Sequence, residues 1–234
     1  MLFNSIEFLI FFPIVIFVYY LIPNKLKSIW LLVASYYFYM SWNATYVWLI
    51  LIATLVTWIC GLGIGRLKQG ERKKGQKALV AISFVVTLGI LFFFKYFDFA
   101  LSILNSILKP LHLTAMSNPF DLLLPVGISF YTFQTLSYVV DVYRDKIPAE
   151  KNLLRYALFV SFFPQLVAGP IERATNLLPQ FQRPRTFRYE QATDDMRQML
   201  WGFFKKLIIA DNCAGFVNYV FDNYAEMGSM IQRR

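Results

Sequence analysis

Long apolar runs alternate with short polar segments along most of this chain, a pattern typical of helices that cross a membrane. The apolar runs cover residues 7–22, 29–42, 45–63, 78–94 and 122–140. A helix needs about 20 mostly apolar residues to cross about 30 Å of hydrocarbon, so the shorter runs need their flanking residues to span it. The predicted fold class is therefore all-α, as a polytopic membrane helical bundle.

The end of the second run is rich in aromatic residues, which favours a position at the membrane–water boundary. These residues are Tyr36, Tyr37, Tyr39 and Trp42. Asn43 follows at once and is a suitable N-cap for the third helix, because its side chain can accept a hydrogen bond from a free backbone N–H. The short connection predicts that the second and third spans form a helical hairpin.

A sixth apolar run, residues 156–171, has basic residues on both sides, Lys151 before it and Arg173 after it. Lysine and arginine concentrate on the cytoplasmic side of membrane proteins, so both flanks are expected on that side. Proline removes a backbone donor and disfavours helix in the residue before it, which predicts breaks at Phe163-Pro164 and Gly169-Pro170. We therefore predict a re-entrant segment that enters the membrane and returns.

Two further segments have the pattern of amphipathic helices at a membrane surface. Residues 95–108 are predicted on the outer surface. Residues 189–224 begin with acidic positions and gain lysines later, as the helix dipole favours, and are predicted as interfacial and apolar helices on the inner side.

Composition supports the membrane class. Charged residues make up 16% of the 234 positions and hydrophobic residues 57%, with a mean hydropathy of +0.48, whereas a soluble domain carries about 25% charged residues. The net charge of +9 lies mostly in short segments between apolar runs, where it orients a membrane protein, so nucleic acid is not an expected partner. The two cysteines, Cys60 and Cys213, form no disulfide framework.

The strongest orientation signal is the segment from Arg66 to Lys77, which contains six basic residues and a single acidic residue, Glu71. The positive-inside rule assigns this segment to the cytoplasm. Counting spans back from it predicts that the N-terminus lies outside.

One face of the helix predicted over 122–140 carries polar and small residues at helical spacing: Gly127, Tyr131, Gln134, Tyr138 and Asp141. Two interpretations remain open. The stripe can join helices through hydrogen bonds, as polar residues in membrane helices do, or it can form one wall of a polar cavity.

The region from Leu124 to Arg173 contains three motifs in order: LPVGISFYTFQ at Leu124–Gln134, DVYR at Asp141–Arg144, and FPQLVAGPIER at Phe163–Arg173. Together they resemble the membrane-bound O-acyltransferase family, especially its bacterial alginate O-acetyltransferase-type branch. The resemblance extends to about Tyr224. It implies that residues 1–234 are the N-terminal part of one longer membrane domain.

The resemblance implies acyl transfer at the bacterial plasma (inner) membrane. An acyl thioester donor, acetyl-CoA or an acyl carrier, would be accepted on the cytoplasmic side without a bound cofactor. The acyl group, in this branch an acetyl group, would reach a hydroxyl of an exported or cell-surface polysaccharide, with a periplasmic or extracellular acyl-transfer protein as a further partner.

The motif residues supply candidate roles. The candidates to line a tunnel or a substrate site are Tyr131, Gln134, Gln165 and Glu172. The candidates to dock the donor at the cytoplasmic face are Arg144 and Arg173. The chain contains no metal-ligand cluster.

No catalytic residue is expected in this chain. The resemblance places the catalytic histidine in a later helix beyond the end of the chain, and His112, the only histidine, is expected in an exterior loop. We therefore expect a truncated form that alone does not transfer acyl groups. An alternative function is a non-enzymatic polytopic membrane protein, such as a transporter or channel subunit, because broken helices with polar groups at depth also occur there.

Overall fold

The computed structural model describes residues 1, 3–70, 72–109, 124–166, 169–183 and 185–224. The α-helices are α1 (Ile6–Leu21), α2 (Asn24–Met40), α3 (Val47–Gln69), α4 (Lys73–Leu91), α5 (Phe97–Leu108), α6 (Ile128–Tyr143), α7 (Leu153–Ser161), α8 (Phe163–Leu166), α9 (Ala174–Gln182), α10 (Tyr189–Phe204) and α11 (Asp211–Asp222). The described residues contain no strand, which confirms the prediction of an all-α fold. They form two compact units, one made of residue 1 and the described residues between 10 and 183, and the other of residues 3–9 and 185–224.

Two helical segments in the described part of the chain are long and apolar enough to cross a membrane, judged by length and composition. They are Ala44–Lys68 and Lys73–Ile107, of 25 and 35 residues. The second segment runs from α4 through a π-helical stretch, Phe92–Tyr96, into α5. The predicted helix over 95–108 is therefore not a separate surface helix but a continuation of the fourth span.

In the first unit, α3 packs against α4 and α6, and α6 also packs against α4. Gly61 permits close approach of α3 and α6, since a Cβ atom at this position would lie 2.7 Å from Cε1 of Tyr138. The α2 helix packs mainly against α7 rather than α3. The expected hairpin of the second and third spans is thus wrong, because the partner of α2 is distant in sequence.

The turn between α2 and α3 begins as predicted. The Asn43 side chain accepts a hydrogen bond from the backbone N–H of Thr45 at 2.9 Å. It caps a short 3₁₀ turn, Ala44–Tyr46, which leads into α3. Local capping chemistry was therefore readable from the sequence, while the helix packing beyond it was not.

The predicted basic loop is mostly helical. Arg66 and Lys68 lie in the last turn of α3, where cations interact favourably with the helix dipole. Lys73 and Lys74 lie in the first turn of α4. Lys68 also donates a hydrogen bond to the carbonyl of Val142 at 2.7 Å and forms an ion pair with Asp145.

Hydrogen bonds and an ion pair of Glu150 hold the connection between α6 and α7 in place. Its backbone N–H donates to the Tyr138 hydroxyl at 2.9 Å, and its carbonyl accepts from the Trp58 indole at 2.9 Å. Its side chain is 9% exposed, and its carboxylate pairs with Arg155 at 3.2 Å. One residue thus joins this connection to both α3 and α6.

The sixth apolar run is interrupted, as its prolines predict. The α7 helix has nine residues, about 13 Å at 1.5 Å per residue. It ends at Ser161, and the ψ of 109° at the next residue, Phe162, lies outside the helical region. Four helical residues follow as α8. A helix of nine residues such as α7 is too short to cross about 30 Å of hydrocarbon. The re-entrant path itself stays a prediction.

The second unit contains α10 and α11, joined through a π-helical stretch, Lys205–Ala210. None of the residues in these three segments is buried. Trp201 stacks on Phe204 with ring centroids 5.3 Å apart, and Lys206 pairs with Asp211 at 2.5 Å. The predicted helices are present, and their interfacial location stays a prediction.

Candidate functional site

The polar face predicted on α6 is buried. Tyr131 and Tyr138 are 0% exposed, Gln134 is 2% exposed and Asp141 is 4% exposed. The helix begins directly after Gly127, whose φ of 74° places it in the left-handed region that favours glycine. The backbone of α8 passes close to this glycine at Leu166. The first and third sequence motifs therefore meet at the start of α6.

Gln134 joins two helices. Its side-chain amide donates a hydrogen bond to the backbone carbonyl of Phe159 at 2.8 Å. This carbonyl belongs to the last turn of α7, where carbonyls lack a partner within the helix. The contact favours helix joining over cavity lining for this residue.

Two buried tyrosines also join helices through their hydrogen bonds. The Tyr138 hydroxyl accepts from the Glu150 backbone, and the Tyr156 hydroxyl bonds to the Thr57 hydroxyl at 2.8 Å. The α3, α6 and α7 helices are therefore linked by satisfied polar contacts.

Other buried polar atoms lack such partners. Among the described residues, no hydrogen bond satisfies the hydroxyls of Tyr39 and Tyr131, Nε2 of Gln165 or Oδ2 of Asp141. The hydroxyls of Tyr39 and Tyr131 are, however, near enough to each other to pair as donor and acceptor. For Tyr131 and Gln165, cavity lining thus remains compatible with the structure.

Tyr39 corrects one prediction from the sequence. It is 3% exposed and belongs to the core cluster, whereas Tyr37 is 56% exposed. The aromatic residues of α2 are therefore divided between a buried and an exposed face rather than forming one boundary belt. The spacing of Tyr36 and Tyr39, three positions apart, was the signal that placed them on one face.

A cleft of about 320 Å³ brings together both predicted donor-docking arginines. Its lining comes from α4, α6, the connection after α6 and the residue before α9. The lining residues are Phe84, Leu88, Phe133, Leu136, Ser137, Val140, Asp141, Arg144, Lys146 and Arg173. Glu172 does not line this cleft. Sequence reasoning missed the apolar wall from α4, which has no motif of its own.

Charge in the cleft is mostly positive. Lys146 Nζ lies 3.6 Å from Oδ1 of Asp141. Arg144 and Arg173 are exposed and form no ion pair with any described residue. Three cations around one buried carboxylate, beside an apolar wall, suit an anionic ligand with an apolar body.

In the described part of the chain, no group of three histidine, cysteine, aspartate or glutamate residues could hold a metal ion. His112 lies outside the described residues, so its expected loop position stays a prediction.

Comparison with known proteins adds the family. The chain is 37% identical over 225 residues to a probable alginate O-acetylase of Azotobacter vinelandii, covering 94% of this chain and 44% of the relative. A probable alginate O-acetylase of Pseudomonas putida is 39% identical, with 94% and 45% covered. The chain matches these O-acetylases over nearly its whole length, which supports its resemblance to the membrane-bound O-acyltransferase family.

A more distant relative also matches the chain. A peptidoglycan O-acetyltransferase of Helicobacter pylori is 30% identical over 264 aligned positions, with 99% of this chain and 48% of the relative covered. The chain spans a little under half the length of these curated relatives. No family model and no solved structure matches the chain significantly. The similarity to these relatives and the two long apolar helices together indicate a membrane protein.

Proposed function

We propose that the whole protein is a membrane O-acyltransferase that transfers an acetyl group to hydroxyls of an exported or cell-surface polysaccharide. The names of the relatives support this activity, since they are alginate O-acetylases and a peptidoglycan O-acetyltransferase. The present chain supplies the helical scaffold and a donor-docking surface. The acceptor is a polysaccharide with free hydroxyls, and further partners are the lipid bilayer and an acyl-transfer protein outside the membrane.

The observation that carries the donor assignment is the convergence of Arg144 and Arg173 on one cleft. Guanidinium groups bind phosphate through paired hydrogen bonds, which makes arginine well suited to phosphate recognition. Coenzyme A and the prosthetic arm of an acyl carrier both carry phosphate beside a long, mostly uncharged chain. The phosphate would bind at the arginines, and the chain would lie along Phe84 and Phe133.

Asp141 would make the proposed donor site selective for its ligand. Its Oδ2 is a buried acceptor without a partner in the described residues. The prosthetic arm of these donors contains amide N–H groups, which can donate to such an oxygen. An unpaired buried carboxylate oxygen disfavours ligands that lack a donor at that point.

The reaction is the attack of an acceptor hydroxyl oxygen on the thioester carbonyl carbon. A new ester C–O bond forms, the C–S bond breaks, and the thiol leaves as a thiolate. The hydroxyl proton passes to a base and then to the sulfur. A positioned base accelerates such steps by about 10² to 10⁴; the family resemblance assigns it to a histidine of a later helix.

The proposed location is the bacterial plasma membrane, with the N-terminus outside and the cleft open to the cytoplasm. Arg144 and Arg173 lie in the basic segments that the positive-inside rule assigns to that side. The donor is available on this side and the acceptor on the other, so the proposed function requires such an orientation.

A labelling experiment tests the proposal. The whole protein, reconstituted in vesicles with acetyl-CoA carrying a labelled acetyl group outside and an alginate oligosaccharide inside, is expected to yield labelled ester. A parallel sample with a peptidoglycan fragment distinguishes the acceptors. Label that moves into vesicles only as free acetate, with no ester on either acceptor, would instead support a transporter or channel.

A further inference from the structure

The turn that ends α6 has an unusual backbone conformation for its sequence. Asp145 lies in this turn with a φ of 58°, and it is the single non-glycine residue with a positive φ in the described part of the chain. Aspartate adopts this left-handed region at a cost that glycine avoids, and glycine is the usual residue just after a helix. Contacts with other residues therefore have to stabilise the turn.

The backbone hydrogen bonds identify this turn as a Schellman motif. The N–H of Asp145 donates to the carbonyl of Val142 at 3.3 Å, and the N–H of Lys146 donates to the carbonyl of Asp141 at 2.9 Å. These bonds satisfy carbonyls at the end of α6 that have no partner within the helix, and they form when residue 145 is left-handed. The conformation of Asp145 thus determines how the chain leaves α6.

Lys68 contacts this turn from α3. Its ammonium group donates a hydrogen bond to the carbonyl of Val142 at 2.7 Å and forms an ion pair with the carboxylate of Asp145. A cation at the C-terminal end of a helix is favourable, because the free carbonyls give that end a negative partial charge. Lys68 therefore binds both the backbone and the side chain of the strained turn.

The same turn carries two cations of the proposed donor cleft. Arg144 precedes Asp145 and Lys146 follows it, and both line the cleft together with Asp141. Lys146 Nζ lies 3.6 Å from Oδ1 of Asp141. Lys68 is not among the residues that line the cleft, so it contacts the turn from outside the site.

We infer that Lys68 is a positioning residue of the proposed donor cleft: it holds Asp145 in the left-handed conformation and thereby fixes the turn that carries Arg144 and Lys146. This role rests on the proposed function, which assigns the phosphate of an acyl donor to the cleft. An ion pair with an exposed carboxylate contributes little by itself. The bond from Lys68 to the Val142 carbonyl is what fixes the ammonium group relative to the backbone.

Hydrogen exchange tests the role of Lys68 without any ligand. In Lys68→Met of the whole protein, the backbone amides of residues 145 and 146 are expected to exchange several-fold faster, because the turn opens more often. Lys73→Met removes the same charge from an exposed residue that does not line the cleft, and it should leave both exchange rates unchanged. Equal exchange rates in the two variants would overturn the inference.

Replacement of Asp145 separates the effect of backbone strain from that of charge. Glycine adopts the left-handed conformation without a stabilising contact, so Lys68→Met/Asp145→Gly should regain the slow exchange of the unmodified protein. Lys68→Met/Asp145→Ala has the same net charge but carries a Cβ atom, so its exchange should remain fast. Equal exchange in the two double variants would show that Lys68 does not act through the conformation of residue 145.

Binding of coenzyme A relates the turn to the cleft. Lys68→Met is expected to weaken the binding of coenzyme A to the whole protein in detergent several-fold, as measured by calorimetry, and Lys68→Met/Asp145→Gly should restore it. Faster exchange in Lys68→Met with unchanged binding would overturn the positioning role. If the unmodified protein does not bind coenzyme A, the proposed donor site is wrong, whereas the exchange rates still decide whether Lys68 holds the turn.

Discussion

A Cβ atom placed on Gly127 would lie 2.7 Å from the carbonyl oxygen of Leu166. Real Cβ atoms essentially never come so close to a backbone oxygen, so the two segments can pack this tightly only with glycine at this position. Leu166 lies in the helical turn after the break in the sixth apolar run. The contact therefore fixes the start of α6 against the interrupted segment.

Gly127→Ala is expected to lower stability by about 1–3 kcal/mol, the usual cost of holding a non-glycine residue in a strained backbone region. The φ of 74° and the contact with Leu166 act in the same direction. Thermal unfolding in detergent measures the change. Gly89→Ala is the matched control, because nothing lies within 4 Å of its Cβ position in α4; it should gain about 0.5–1 kcal/mol. An equal change in thermal stability for both variants would refute the packing argument.

Gln134→Leu is expected to destabilise the protein by about 1–3 kcal/mol, because it leaves the Phe159 carbonyl buried without a donor. The same replacement at the exposed Gln198 should change stability by less than about 0.5 kcal/mol. Chemical denaturation in detergent compares the two. A neutral result at position 134 would mean that this amide is not needed to join α6 and α7.

The double variant Arg144→Ala/Arg173→Ala of the whole protein is expected to raise the donor KM by about tenfold or more, since 1.4 kcal/mol of lost binding corresponds to a factor of ten. Because exposed charges are screened by salt, the KM of the unmodified protein should rise with ionic strength. The control Lys151→Ala/Arg183→Ala removes the same charge from exposed residues outside the cleft. An equal KM for both double variants would contradict docking in the cleft.

Cysteines placed at Lys151 and Arg183 are expected to react from the same side of the membrane, because α7 is too short to cross it. A membrane-impermeant maleimide measures sidedness. Lys73 and Asn118 serve as references and should report opposite sides; Asn118 lies outside the described residues. Opposite labelling of positions 151 and 183 would show that the segment crosses the membrane.

The apolar runs located the first helix closely, whereas the helix predicted over 122–140 begins at Ile128 and ends at Tyr143. The α1 helix, Ile6–Leu21, lies within one residue of its predicted bounds, and the buried face of α6 contains the polar residues that helical spacing assigned to it. Both predictions, of the bounds of α1 and of the buried face of α6, depend on local patterns of about one to four turns, which a sequence shows directly. Tyr131 and Gln134 were therefore found on the correct face, although only the structure separates their contacts.

Packing between distant segments could not be predicted in the same way. Nothing in the sequence near α2 indicates that it packs on α7, more than 100 residues later. The meeting of Arg144 and Arg173 also depends on how α6 and α9 are arranged, although the motifs marked each arginine separately. Residues 95–108 were predicted as a separate surface helix because Lys95, Asp98 and Asn105 give them an amphipathic pattern, whereas the helix that begins in α4 continues through them.

The contacts of Glu150 make the connection between α6 and α7 resistant to proteolysis. This connection contains Lys146 and Lys151, both exposed and both chemically suitable for trypsin. A protease must draw a stretch of extended backbone into its own cleft, and here that would break the hydrogen bonds of Glu150 to Trp58 and Tyr138. Digestion at these lysines thus requires partial unfolding of the core, and the segment will survive in fragments that retain α3 and α6.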